Sequence, residues 1–365
     1  MTDPILPPDP PPQVPVLTLT LNPALDMATN VPRMVPDEKL RCSDPCLDPG
    51  GGGINVARAI HALGGESLAL VALGGRTGNR LAELLRDDGV QFLQIMSPGE
   101  TRQSLTVTET ATGHQFRFMM PGPVWKPEHQ EYVTKTLKWI VKGDFWKSPN
   151  LKLIVLGSKE PIPEPLTGFD KLRDFSQRVA EKPGAFAVIS GSQPPGVPVD
   201  FPARLAAAMA GMRIVLDTSG SALNEAVERP LPGLEILRMD GEEAEVLAGR
   251  PLGSRGETAD FAQSLVRRGV ARQVIVARGA DGSVLADAGR RLFAKAPKVS
   301  VVSKVGAGDS FVGGFVLALA RGQDAGQALA QGVAAAAAAV MTEATDLCRP
   351  DDVARLLADC PVSEV

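Results

Sequence analysis

Between Val16 and Gln273 the chain repeatedly follows a short β-branched or apolar run with an amphipathic stretch of helical period. This alternation constrains the fold more than any other feature. Runs such as VLTLTL (16–21), LALVALGG (68–75), Ala187–Ser190, Arg213–Asp217, Glu235–Met239 and Gln273–Ala277 read as strands buried on both faces. Helical stretches at 54–63, 79–88, 201–211, 241–249 and 258–269 separate most of them. Parallel strands need crossover helices, and the helices cover both faces, so the fold class is α/β with a mostly parallel central sheet.

Two segments break the rhythm. Lys39–Leu47 and Gln103–Met120 alternate polar and apolar residues, with a turn at Thr112-Gly113. They read as antiparallel strands of a small second sheet, serving either as a lid over the site or as a dimer seam. Residues 124–185 are the least regular and hold all three tryptophans and the only tyrosine. Within them LKLIVLGSKEPIP (151–163) loosely echoes AFAVISGSQPPGV (185–197), through either duplication or chance.

Composition narrows the function. With 365 residues, 44 % hydrophobic and 22 % charged, the chain has material for a large core. Aromatics at 4 % argue against a base-stacking surface, and a net charge of −4 without a basic patch argues against nucleic acid. The four cysteines are too few for a disulfide framework and lack zinc-site spacing. Residues 1–15 form a proline-rich leader without the apolar segment of a signal peptide, expected to be disordered. The longest apolar stretch, Ala328–Met341, is too short for a bilayer. No membrane partner and a cytoplasmic location are therefore expected, with residues 16–365 as one domain.

Lys304–Phe311 reads KVGAGDSF and leads into an apolar helix through Ala320. Gly306 and Gly308 permit a sharp turn, after which amide N–H groups face outward at a helix start. Such a nest binds an anion, and a carboxylate at Asp309 can take a proton from a substrate hydroxyl there. The rival reading is a helix-capping aspartate after a glycine loop. Gly50–Gly53 with Asn55 is the second signal: four glycines before a helix permit close approach to a polar ligand, and Asn55 can bond hydroxyls. The dinucleotide spacing G-x-G-x-x-G and the Walker GK[ST] are both absent.

TLTLNPALD (18–26), EKLRC (38–42), PGGGGINVARAIHALGG (49–65), TRQ (101–103), ISGSQPPGV (189–197) and VGAGDSFVGG (305–314) occur in this order. The set resembles the ribokinase-like sugar kinases of the phosphofructokinase B family, most of all its ATP-dependent 6-phosphofructokinase branch, from about Val16 to about Leu357. The resemblance implies a three-layer sandwich with a small β lid, Mg-ATP as cofactor, a sugar phosphate as substrate and a homodimer through the lid strands. It implies Asp309 as catalytic base and the Gly306, Ala307 and Gly308 amides as the anion hole. It places Asp26, at the end of the first strand, with Gly52, Gly53, Asn55 and Ser190 around the sugar. Lys39 and Arg102 would hold the sugar's phosphate, and Arg41 a partner subunit's site.

Several positions depart from the family pattern. Arg238 and Asp240, which the resemblance places as nucleotide contacts at the strand end facing Mg-ATP, stand where Lys and Asn are common, beside Glu243 as the metal-organising carboxylate. Lys304 stands where threonine is common, either toward a nucleotide phosphate or toward solvent. Ala277, Arg278, Gly279 and Gly282 match a nucleotide loop, with Arg278 as a phosphate or ribose contact. The resemblance leaves open 1-phosphofructokinase or tagatose-6-phosphate kinase activity. A catalytically weakened sensing homologue is the rival from another class, and the region 124–185 exceeds the family's usual length.

Overall fold

The computed structural model describes residues 12–143, 169–181, 183–343 and 346–365. Most of the leader and the 151–163 echo lie outside them. The first strands are β1 (Val16–Thr20), β2 (Ala24–Val31), β3 (Cys46–Gly50), β4 (Leu68–Leu73) and β5 (Phe92–Met96). There follow β6 (Arg102–Glu109), β7 (Gln115–Met119), β8 (Phe186–Ser190), β9 (Arg213–Asp217), β10 (Leu234–Met239) and β11 (Gln273–Ala277). Three more, β12 (Gly282–Ala286), β13 (Arg291–Lys295) and β14 (Val362–Glu364), come late in the chain.

The main sheet runs β14-β13-β12-β11-β10-β9-β8-β1-β4-β5. From β11 to β5 every neighbouring pair is parallel, while β12, β13 and β14 add an antiparallel edge. The expected mostly parallel sheet is therefore present. The late strands arise because β11, β12 and β13 are joined by tight turns, which suit antiparallel pairing.

Alternate residues of β1 divide the core. Leu17 and Leu19 pack toward α3 (Pro127–Val141), α5 (Phe201–Ala208), α6 (Gly220–Glu228) and α8 (Arg255–Arg267), a face that α4 (Phe169–Glu181) also covers. Val16 packs toward α1 (Gly52–Ala62), α9 (Ala307–Ala320), α10 (Ala325–Ala339) and α11 (Pro350–Leu357). Two more helices, α2 (Gly75–Asp87) and α7 (Gly241–Ala248), follow β4 and β10. Small residues set the distance between the central helices. A Cβ on Gly313 would stand 2.7 Å from the Ala59 methyl, and one on Gly314 2.9 Å from that of Ala335. The alanine run of α10 is thus the surface onto which α9 packs.

The second sheet has the order β3-β2-β6-β7. It corrects the expected lid. Lys39–Leu47 is not a strand; residues 38–45 are irregular, and the strand begins at Cys46. Pro36 and Pro45 remove backbone donors, and Asp37 adopts a left-handed φ of 61°. The inner strand, Ala24–Val31, pairs parallel with β6 and antiparallel with β3. Asp26 therefore lies in the middle of the lid sheet rather than at the end of β1. The expected hairpin across Thr112-Gly113 is present as β6 and β7. The irregular region 124–185 contributes two helices, α3 and α4; residues 144–168 and 182 of it lie outside the described residues.

Candidate active site

Parallel strands deliver their carboxyl ends to one edge of the sheet, where ligand sites of α/β folds form. Here the ends of β8, β9 and β10 bring Ser190, Asp217 and Arg238 together, opposite the first turns of α1 and α9.

Gly306 caps α9 with φ 72°, a left-handed conformation that favours glycine. Ser310 N–H closes the first helical bond on the Gly306 carbonyl at 2.8 Å. The amides of Ala307, Gly308 and Asp309 are the helix's first three, which have no carbonyl partner within it. No side chain caps this end. The end of α1 is built alike: Asn55 N–H bonds the Gly51 carbonyl, and no side chain caps Gly52 or Gly53. Two positive helix ends thus meet, and Asn55 Nδ2 donates to Asp309 Oδ2 at 2.9 Å.

Burial pushes the Asp309 carboxyl up to about 7, and the negative charge of Asp217 adds to the rise. The Asn55 amide and the Arg238 charge pull it down. A carboxyl held near neutrality can take a proton at pH 7 and release it to water. Asp217 holds Ser190 Oγ on one oxygen at 3.2 Å and Arg238 Nη1 on the other at 3.1 Å. Sequence reasoning did not single out Asp217. Its signal was its place, as the last residue of a parallel strand.

The four glycines each have a separate structural task. A Cβ on Gly50 would lie 2.0 Å from Asp26 Oδ2, so Gly50 makes room for that carboxylate. Gly51 has φ 127°. Gly52 passes the Ser190 hydroxyl, where a Cβ would meet Oγ at 2.4 Å, and Gly53 passes the Leu19 carbonyl at 2.3 Å. The close approach expected for a ligand is thus also an approach of the chain to itself.

On the lid, burial raises Asp26 to about 6, against the opposing pull of Arg102. Arg102 is itself anchored: Nε donates to the Asn22 carbonyl at 3.2 Å and Nη1 to that of Met120 at 3.4 Å. Asn22 Nδ2 in turn donates to Ser192 Oγ and the Gln193 carbonyl. Arg102 and the loop after β8 therefore share one brace. Lys39 and Arg41 sit exposed on the irregular loop between β2 and β3.

Asp240 caps α7: its Oδ1 accepts from Glu243 N–H at 2.9 Å, and Glu243 Oε2 accepts from Asp240 N–H at 2.8 Å. The aspartate in place of asparagine thus has an ordinary reason, as an N-cap beside a positive helix end. Burial, with the charges of Asp240 and Asp217, raises the Glu243 carboxyl. Arg278 lies on the loop after β11. Its guanidinium turns inward onto the Leu252, Gly253 and Ser254 carbonyls, Thr258 and Asp281, so most of its donors serve the fold. It joins β11 to the loop before α8, with Ala277 and Gly279 on either side. Gly282 is a packing glycine, since a Cβ there would stand 2.0 Å from the Ala294 carbonyl. Lys304 is exposed.

The profile of the pfkB family of carbohydrate kinases matches residues 13–162 and 168–352. The ATP-dependent 6-phosphofructokinase isozyme 2 of Escherichia coli K12 is 35 % identical over 346 residues, 94 % of this chain and 98 % of that one. The Mycobacterium tuberculosis H37Rv protein of the same name is 37 % identical over 344 residues, 93 % of this chain and 88 % of that one. The crystal structure of E. coli phosphofructokinase-2 in complex with substrates and products superposes with a TM-score of 0.78 at 34 % identity, covering 95 % of this chain and 99 % of that one. The motif resemblance and the expected ribokinase-like fold are both borne out, and the chain belongs to the pfkB family of carbohydrate kinases.

Proposed function

We propose that this protein transfers the γ-phosphoryl group of ATP to the 1-hydroxyl of fructose 6-phosphate, giving fructose 1,6-bisphosphate and ADP. The observation that carries the reading is the Asp309 carboxyl, seated on Asn55 where the uncapped first turns of α1 and α9 meet. The sugar oxygen attacks the γ-phosphorus, its proton passes to Asp309, and the bond from phosphorus to the bridging β,γ-oxygen breaks to release ADP. The amides of Ala307 and Gly308, with Gly306 shaping the turn, receive the charge of the phosphoryl group in transit. Asp26, Gly52, Gly53, Asn55 and Ser190 orient the sugar. Arg102, on its carbonyl anchors, meets the 6-phosphate.

The donor set fits a hydrated magnesium ion arriving with the nucleotide, because Glu243 and Asp240 each keep a carboxylate oxygen outside the cap bonds. Glu243 would hold that ion through water, and the ion supplies neutralisation of phosphate charge. The exposed Phe116, Phe118 and Met119 of β7 support a homodimer built through the lid sheet. A monomeric mass by light scattering at micromolar protein overturns that assembly. A reducing, cytoplasmic setting suits the four free cysteines. No helix among the described residues is long and apolar enough to cross a membrane.

A coupled assay across fructose 6-phosphate, fructose 1-phosphate and tagatose 6-phosphate at fixed Mg-ATP tests the reading. Fructose 6-phosphate is expected to give the highest kcat/KM. Preference for either other sugar reassigns the substrate. Nucleotide binding without turnover of any of them makes the protein a sensor.

A further inference from the structure

Asn22 lies where the body strand β1 has ended and the lid strand β2 is about to begin. It is 9 % exposed and bonds in two directions. Its carbonyl accepts from Arg102 Nε at 3.2 Å. Its Nδ2 donates to Ser192 Oγ at 3.1 Å and to the Gln193 carbonyl at 3.3 Å, in the loop that follows Ser190. Asn22 Oδ1 is buried and has no hydrogen-bond partner among the described residues. Gly122 lies against it: a Cβ there would stand 2.1 Å from Oδ1.

Fold stability alone explains this joint poorly. A buried acceptor without a donor costs more than an ordinary hydrogen bond returns, so an apolar side chain of similar size would serve a purely structural bend better. The joint is also stiffer than a plain connection needs. Pro23 disfavours the helical conformation for Asn22 and offers no backbone donor of its own. A Cβ on Gly51 would stand 3.3 Å from Pro23 Cα, so the chain is closed in on that side. The Asn22 carbonyl is therefore held in place by the proline and by the side chain's grip on the loop after β8. With Nε on that carbonyl and Nη1 on the Met120 carbonyl, Nη2 of Arg102 is the nitrogen left for a ligand.

We propose that Asn22 is a positioning residue that aims Arg102 at the phosphate of the sugar and fixes it relative to the loop that carries Ser190. This rests on the reading of Arg102 given above. A planar guanidinium reads a phosphate by angle as well as by distance, so a swinging fork binds it less well than a fixed one. Asn22 fixes the fork through its backbone and the sugar loop through its side chain. The phosphate end and the hydroxyl end of the substrate thus meet one frame. Gly122 completes that frame by leaving the carboxamide its place.

Calorimetry with fructose 6-phosphate and, separately, with Mg-ADP tests the joint in four proteins: wild type, Asn22→Ala, Arg102→Ala and the double variant. Asn22→Ala should weaken the sugar phosphate at least about threefold and leave Mg-ADP within about twofold. In the Arg102→Ala background the same change should cost less than about twofold more, because the fork it aims is gone. An asparagine that merely stiffens the loop after β8 would cost as much in both backgrounds. Gly122→Ala serves if Asn22→Ala does not fold. Its methyl displaces the carboxamide and meets Arg102 Cδ only at ordinary contact, 3.6 Å. A smaller loss than threefold, equal weakening of Mg-ADP, or a further twofold loss in the Arg102→Ala background overturns the role of Asn22. Arg102→Ala that binds fructose 6-phosphate like wild type overturns the phosphate reading itself, and the role of Asn22 with it. A large Arg102→Ala loss beside a silent Asn22→Ala overturns the role of Asn22 alone.

Discussion

Replacing Asp309 by asparagine should remove activity and stabilise the free protein, both for the same reason. Burial has moved the carboxyl from 3.8 to about 7, with the Asp217 charge adding to it. A folded-state pKa above the unfolded one means that the native state binds the proton more tightly. The ionised form is then a burden that is absent below pH 4, grows between pH 4 and 7, and is complete above 7. Each pH unit of displacement corresponds to about 1.4 kcal/mol, so the ceiling is about 4 kcal/mol. The residue keeps some solvent contact, which lowers the expected gain to about 1–3 kcal/mol. Asparagine has nearly the same shape, and its Oδ1 can still accept from Asn55. Urea unfolding of wild type and Asp309→Asn at pH 5.0 and pH 8.5 measures the gain. The variant should be more stable at pH 8.5, with the advantage shrinking at pH 5.0. Activity should fall at least about 10²-fold, the usual scale for a lost general base. In the wild type, kcat/KM should decline as pH drops below about 7, because the base is then protonated. Equal stability differences at both pH values, or turnover near wild type, would refute the burial argument or the base assignment respectively.

Two further substitutions test the lid. Arg102→Ala should raise KM for the sugar phosphate at least about tenfold while KM for ATP stays within about twofold, in steady-state kinetics with each substrate varied; equal effects on both would contradict the phosphate role. Gly50→Ala puts a methyl where Asp26 Oδ2 now sits, 2.0 Å from the new carbon, and should displace that carboxylate. A rise in sugar KM of at least about tenfold is expected, and unchanged sugar binding would show that Asp26 does not orient the sugar.

The sequence made the central sheet legible because strands covered on both faces are continuously apolar, and β1, β4 and β8 are each buried throughout. It hid the inner lid strand for the opposite reason. Ala24–Val31 is only half buried, carries Asp26 and Asn30, and follows Asn22-Pro23, which reads as a stop. The edge strands β12 to β14 are short, and β12 and β13 are set by tight turns rather than by crossover helices. At the site, glycine loops are visible in one dimension, so the α9 nest and the Gly50–Gly53 run stood out. Partnerships between distant side chains are not visible in that way. Arg278 and Arg238 look equivalent as cations near a strand's carboxyl end, yet one faces inward onto three carbonyls and the other lies over Gly308. Asp217 ends a strand like any other, and only the sheet order, which sets β9 between β8 and β10, brings it to Ser190 and Arg238. The motif can name the base, but the charges that tune it come from neighbouring strands. A change at Asp217 should therefore alter the chemistry of Asp309 while leaving every motif residue intact.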